Sequence, residues 1–151
     1  MEKSQVLSVD NQLPEPVPAG FSPGRCRYSP RMVSVLIVDD ESLIRWSIAQ
    51  SLEAEGFPVL EAATAQEAIA CLGQRDDIGV VLLDLKLPDC SDLSLLRLLR
   101  QLAPTSRIVL MTAHGTAEVL EEAVRAGAFR AVGKPFDLDD MVGIVRDAMA
   151  A

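Results

Sequence analysis

From Val33 to Ala148 the chain alternates five times between a short apolar run and a stretch with helical patterning, and this alternation restricts the fold more than any other feature. Val33 to Val38 is apolar apart from Ser34. A run without polar alternation reads as a strand buried on both faces, as in parallel sheets. Ser42 is expected to cap a helix running to about Glu55, with Leu43, Trp46, Ile48 and Leu52 among its apolar positions and Gly56 as its stop. Val59 to Ala62 reads as a short strand. Thr64 and Glu67 have the capping-box spacing that opens a helix ending near Gly73. Ile78 to Leu83 is the strongest strand, and it runs into Asp84. A third helix is expected over about Asp92 to Leu102, with a broad face of Leu93, Leu95, Leu96, Leu98 and Leu99. Arg107 to Met111, Thr116 to Ala126 and Ala128 to Val132 read as strand, helix and weak strand. Asp137 or Asp139 opens a last helix. Short connections and right-handed crossovers turn this order into an α/β fold, a parallel sheet covered by helices on both faces.

Ahead of this pattern lie five of the nine prolines: Pro14, Pro16, Pro18, Pro23 and Pro30. Proline-rich chain without hydrophobic periodicity favours extended, solvated conformers. The expected organisation is a disordered tail over residues 1–32 and one domain over residues 33–151. Met32 stands directly before the first strand, so a translation start at Met32 is an expectation to be checked by intact mass. The chain carries a net charge of -8, and within the tail Lys3, Arg25, Arg27 and Arg31 outnumber Glu2, Asp10 and Glu15, so the domain is the acidic part. An acidic domain repels phosphates, which argues against direct nucleic-acid binding and against anionic membrane surfaces. No apolar run is long enough to span a bilayer, and Met1 to Asp10 lacks the apolar centre of a secretory signal. Cys26, Cys71 and Cys90 form no paired motif, which fits free thiols in a reducing, cytoplasmic setting.

In doubly wound sheets the working surface lies at the carboxyl ends of the strands. Those ends carry Asp39-Asp40-Glu41, Asp84, Thr112-Ala113 and Lys134-Pro135. Three aspartates, a hydroxyl and a lysine are thereby expected to converge. Clustered carboxylates raise one another's pKa, and a bound divalent cation offsets that cost. Oxygen-only ligands suit a hard ion such as Mg²⁺. A cation, a lysine and a hydroxyl around a carboxylate nucleophile suit a phosphoryl group, whose spreading charge needs positive partners. Asp84, on the most buried strand, is the expected nucleophile, giving an aspartyl-phosphate. The blander reading, in which the aspartates merely cap helices in solvent, must explain four strand ends agreeing at once.

Five segments carry a family resemblance: Leu36-Ile37-Val38-Asp39-Asp40-Glu41, Val81-Leu82-Leu83-Asp84-Leu85-Lys86-Leu87-Pro88-Asp89, Val109-Leu110-Met111-Thr112-Ala113-His114-Gly115, Gly127-Ala128-Phe129 and Lys134-Pro135-Phe136-Asp137. In this order and spacing the chain from about Val33 to Ala148 resembles a receiver domain of bacterial two-component response regulators, the CheY-like superfamily, with an NtrC-type flavour. The resemblance implies a flavodoxin-like, doubly wound sheet of five parallel strands in the order 2-1-3-4-5 with five helices. It implies that Asp39 and Asp40 hold Mg²⁺ together with Asp84 and the backbone carbonyl of Lys86. Asp84 would accept a phosphoryl group from a sensor histidine kinase or phosphotransfer protein. Thr112 and Lys134 would contact phosphoryl oxygens, and the Lys134–Pro135 peptide would be cis. An unknown downstream protein, or a second copy of the chain, would read the outcome through helix 4, strand 5 and helix 5.

Two positions depart from the family pattern. Ala131 stands where an aromatic ring usually reports phosphorylation, and Phe129 is expected on the same strand face two residues earlier. Asp92 stands where a glycine usually follows the phosphoacceptor loop, so it must avoid a left-handed backbone or accept strain. His114 and Lys86 are candidates for tuning dephosphorylation at the rim, and Trp46 is expected to be partly buried. A receiver promotes its own phosphorylation and dephosphorylation without being a turnover enzyme. The alternatives are a degenerate receiver that only binds protein, a Mg²⁺-dependent phosphohydrolase and a nucleotide- or flavin-binding module. Haloacid-dehalogenase-type phosphohydrolases use Asp-x-Asp, and Asp84-Leu85-Lys86 lacks the second carboxylate. Asp39-Asp40-Glu41 puts negative charge where a nucleotide or flavin module wants a glycine-rich phosphate loop.

Overall fold

Five parallel strands form one sheet in the order 2-1-3-4-5. The computed structural model describes residues 33–151, and the expected tail over residues 1–32, with Met32 and Cys26, lies outside the described residues. The elements are β1 (Ser34–Val38), α1 (Ser42–Ala54), β2 (Val59–Ala62), α2 (Ala65–Gln74), β3 (Ile78–Asp84), α3 (Ser94–Leu102), β4 (Arg107–Thr112), α4 (Ala117–Arg125), β5 (Arg130–Gly133) and α5 (Leu138–Ala150). The expected α/β architecture and strand order are both present.

The period-two pleat explains why the strands read as unbroken apolar runs. Val35, Ile37, Val80, Leu82, Val109 and Met111 pack on one face against Ile48 and Leu52 of α1 and Met141 and Val145 of α5. Leu36, Val38, Val81, Leu83, Ile108 and Leu110 pack on the other, against Leu72 of α2, Leu96 and Leu99 of α3 and Ala123 of α4. Each residue of these central strands meets a core, whichever way it points. β1 turns to β2 on one side and β3 continues on the other, so the sheet order reverses between β1 and β3. That reversal opens the crevice in which such folds hold ligands.

Gly56 stops α1 as expected and Gly127 ends α4, whereas Gly73 lies inside α2, which runs on to Gln74 and ends without a left-handed glycine. Gly56 and Gly127 have φ of +92° and +117°, where a Cβ would be strained. Phe57 N–H then donates to the Leu52 carbonyl and Ala128 N–H to the Ala123 carbonyl, closing the ends of α1 and α4. Thr64 accepts the Glu67 N–H and Glu67 accepts the Ala63 N–H, so the capping box forms with its return bond shifted by one residue. Asp137, not Asp139, caps α5, accepting the Asp139 N–H.

Several local expectations are corrected. Ser42 is the first helical residue of α1, and the cap position falls to Glu41 with no side-chain capping bond. Trp46 is 57 % exposed and Leu43 72 %. The stripe that meets the sheet is Ile48, Ala49 and Leu52, and at about 100° per residue Trp46 points away from it. The α3 face is narrower than expected, with Leu98 partly exposed while Leu95, Leu96 and Leu99 are buried. Asp92 avoids strain, because no non-glycine residue among those described has a positive φ. Its carboxylate instead accepts the Ser94 N–H at the start of α3. Phe129 does not share a face with Ala131. It packs on the α1–α5 side while Ala131 packs on the other, because β5 begins only at Arg130 and Phe129 precedes the pleat.

Candidate functional site

The site is built from three strand ends and one loop. Asp39 follows β1 and is fully buried, held by two bonds to its carboxylate. Its Oδ1 accepts the Glu41 N–H at 2.9 Å, and its Oδ2 accepts from Lys134 Nζ at 2.9 Å. Asp84 closes β3 and is 5 % exposed. Its Oδ1 accepts the Lys86 N–H at 3.3 Å, and its Oδ2 lies 3.4 Å from Lys134 Nζ. Lys134 reaches the pocket from beyond β5, where its own N–H donates to the Thr112 carbonyl at 2.7 Å. The Lys134–Pro135 peptide is cis. Thr112 ends β4, is buried, and accepts the His114 N–H on Oγ1 at 3.1 Å.

The structure therefore brings Asp39, Asp84 and Lys134 into one cluster, with Thr112 tied to it through the Lys134 backbone. Lys86 contributes its N–H to Asp84 while its side chain stays exposed. Asp40 and His114 are exposed. The sequence gives Glu41 no ligand role, yet its Oε1 lies 3.4 Å from Lys134 Nζ. Asp39, Glu41 and Asp84 each offer an oxygen, all within 4.8 Å of one another, and Asp40 is not in that group. Glu41 was legible only as the third acid of a run, and the turn into α1 decides which acids of that run face the lysine. Nothing local in the sequence signals the role of Asp89. It accepts the Ala65 and Gln66 N–H groups and so pins the loop after β3 to the start of α2, which holds its carboxyl below the usual range.

Electrostatics set the chemistry. Burial and the neighbouring Asp39 carboxylate push the Asp84 carboxyl up to about 6, against the pull of the Lys134 ammonium. Burial opposes the Lys134 charge, but its hydrogen bond to Asp39 and the attraction of Asp84 outweigh that and raise its pKa. One ammonium thus answers two buried carboxylates and one exposed one. The excess of acid, all of it oxygen, fits a hard divalent cation. Among the described residues Cys71 and Cys90 are free thiols away from this oxygen cluster.

The model of the response regulator receiver domain matches residues 35–146. The chain belongs to this family. Sporulation initiation phosphotransferase F of Bacillus subtilis is 32% identical over 116 residues, covering 76% of this chain and 89% of that protein. The DNA-binding transcriptional regulator NtrC of Proteus hauseri is 32% identical over 77% of this chain but only 24% of its own length. The chain thus spans about a quarter of that regulator. A CheY-like receiver domain protein from Methanospirillum hungatei superposes with a TM-score of 0.74 at 31% identity, covering 80% of this chain and 95% of that one. Receiver domains are regulatory phosphoacceptors of two-component systems, phosphorylated on aspartate, and they bind Mg²⁺ through acidic residues. Among the described residues no helix is long and apolar enough to cross a membrane.

Proposed function

We propose that this receiver takes a phosphoryl group onto Asp84 from a phosphohistidine of a sensor kinase or phosphotransfer protein. The observation that carries this reading is the pairing of a buried Asp84 with Lys134 at 3.4 Å, at the crevice where the sheet order reverses. With its carboxyl at about 6, Asp84 is mostly ionised at neutral pH and available as a nucleophile. An Asp84 oxygen attacks phosphorus, the new O–P bond forms as the P–N bond breaks, and the imidazole leaves with the donor. Lys134 balances charge on one phosphoryl oxygen, and the Thr112 hydroxyl donates a hydrogen bond to another. Asp39 and Asp84, with Asp40 and the Lys86 carbonyl beside them, are the residues that would hold Mg²⁺, and Glu41, whose carboxylate shares the cluster with Asp39 and Asp84, offers a further oxygen; the ion would neutralise the charge gathering on the phosphoryl oxygens.

Two surfaces suit protein partners in a cytoplasmic setting. An apolar cleft of about 540 Å³ opens beside Lys134, lined by Leu43, Ile44, Ala113, Pro135, Phe136 and Leu138, and suits the phosphodonor protein. The surface of α4, β5 and α5 is the one through which phosphorylation is read by a downstream protein or a second copy of the chain. A second reading, a receiver that binds protein without being phosphorylated, draws on Ala131 alone.

Acetyl phosphate labelling followed by intact mass tests the primary reading. The expected result is a Mg²⁺-dependent gain of about 80 Da, the mass of one phosphoryl group, that is absent from Asp84→Asn. A gain of the same size in Asp84→Asn would remove Asp84 from the reaction, and a wild type that never gains it would favour the second reading.

A further inference from the structure

Three residues, Asp39-Asp40-Glu41, connect β1 to α1 and carry much of the acid of the pocket. The first of them is tied at both of its backbone groups. Asp39 N–H donates to the Ala62 carbonyl at 3.1 Å. The Asp39 carbonyl accepts from Arg45 Nη1 at 2.5 Å. Arg45 also donates through Nε to Glu61 Oε1 at 2.8 Å, and its own N–H closes the first turn of α1 on the Glu41 carbonyl at 3.0 Å. Its side chain is 17% exposed, against 45% for Glu61. A half-buried arginine therefore commits one nitrogen to a backbone oxygen beside the acids and another to a carboxylate on β2.

A peptide unit is planar and stiff. Fixing the Asp39 carbonyl fixes the plane it shares with the Asp40 nitrogen, and with it the direction in which Asp40 and Glu41 leave β1. Two roles suit a cation in this position, and they differ in sign. A guanidinium that only neutralised the acids would compete with a divalent cation, so its removal would tighten cation binding. A guanidinium that aims the connector would, on removal, weaken it. Arg45 bonds a carbonyl rather than a pocket carboxylate, and its charge is already answered by Glu61. Both facts favour aiming.

We propose that Arg45, braced by Glu61, is a positioning residue that sets the Asp39–Asp40 peptide so that the acidic pocket accepts a divalent cation. The proposal rests on the phosphoacceptor reading above. Partners outside the ligand shell that orient ligands in this way are worth about 10-fold or more in metal affinity.

The test titrates Mg²⁺ alone into the full chain and into Arg45→Ala, Arg45→Lys and Glu61→Gln, followed by backbone amide shifts around Asp84, with urea unfolding and acetyl phosphate labelling run alongside. Arg45→Ala is expected to weaken Mg²⁺ binding by about 10-fold. Glu61→Gln is expected to weaken it less. Arg45→Lys is expected to fall between wild type and Arg45→Ala, because an ammonium lacks the fork that bonds both partners. Arg45→Ala binding Mg²⁺ as tightly as wild type, or more tightly, overturns the proposal while normal labelling of wild type leaves the phosphoacceptor reading intact. A wild type that neither binds Mg²⁺ nor takes up the phosphoryl group overturns both. If Arg45→Ala does not fold, Arg45→Lys and Glu61→Gln decide, and wild-type affinity in both of them overturns the proposal.

Discussion

β3 and β5 belong to the same parallel sheet and are built on opposite principles. β3 has seven residues, lies between β1 and β4, and buries all but Gly79. β5 has four residues at the edge, none of them buried, with Arg130 exposed. The first ends in Asp84 and the second leads into Lys134. The carboxylate that would take the new charge stands on a strand clamped by two cores, while the ammonium that answers it hangs from the least packed strand. Close-packed interiors resist displacement and thinly packed edges open at low cost. The difference teaches that a site can be rigid on its acidic side and yielding on its basic side within one sheet. A groove lined by Leu120, Val124 and Ala131 between α4 and β5 adds to that looseness at the edge.

The sharpest way to break the comparison is to remove matched packing from the two strands. Leu82→Ala in β3 is expected to cost about 3–5 kcal/mol, because neighbours held on both faces cannot close the cavity. Urea unfolding gives the value, and a loss below about 1 kcal/mol would mean that the centre is no tighter than the edge. Next in size is Asp84→Asn. The folded state holds the Asp84 proton up to about 6, against 3.8 for the free side chain. The folded protein therefore binds more protons than the unfolded chain between those values, and stability falls as pH rises through that window. Asp84→Asn escapes the loss. Without Mg²⁺ it is expected to be more stable than wild type at pH 7 by about 1–3 kcal/mol, with the gap closing below pH 4. Equal stability at pH 7 would mean that Lys134 fully offsets the burial of the carboxylate. A smaller effect is expected from Val132→Ala in β5, about 1 kcal/mol, since that side chain is only half-buried. Smallest is Ala131→Phe, where the open groove admits a ring, with a change within about 1 kcal/mol of wild type. A larger loss would show that β5 is packed like β3.

The legible part of this fold is the part governed by local rules. Unbroken runs such as Val35-Leu36-Ile37-Val38 announce strands buried on both faces, Gly56 and Gly127 announce helix ends, and Thr64 with Glu67 announces a start. Each signal depends on the residue and its near neighbours alone. The same holds for the meeting of Asp39, Asp84 and Lys134, because parallel strands put their carboxyl ends on one edge. Trp46 departs from expectation because apolar character does not say which side of α1 faces the sheet. Phe129 departs from expectation because alternation applies only inside a strand, and β5 starts one residue later. Asp92 showed an acid where glycine was expected, and only the Ser94 N–H reveals that the carboxylate finds a partner instead of strain.

Pattern and spacing were therefore enough to determine the class of fold, its strand order once the family was recognised, and which strand ends share an edge. They could not say that Glu41 rather than Asp40 stands within reach of Lys134, that Asp89 ties the loop after β3 to α2, or that Arg45 grips the Asp39 carbonyl. Those outcomes depend on contacts between side chains and backbone brought together from separate elements, where a rotation of one peptide plane decides which oxygen faces the pocket. Hydrophobic periodicity is blind to such rotations, because every arrangement of an acidic three-residue turn buries nearly the same apolar surface.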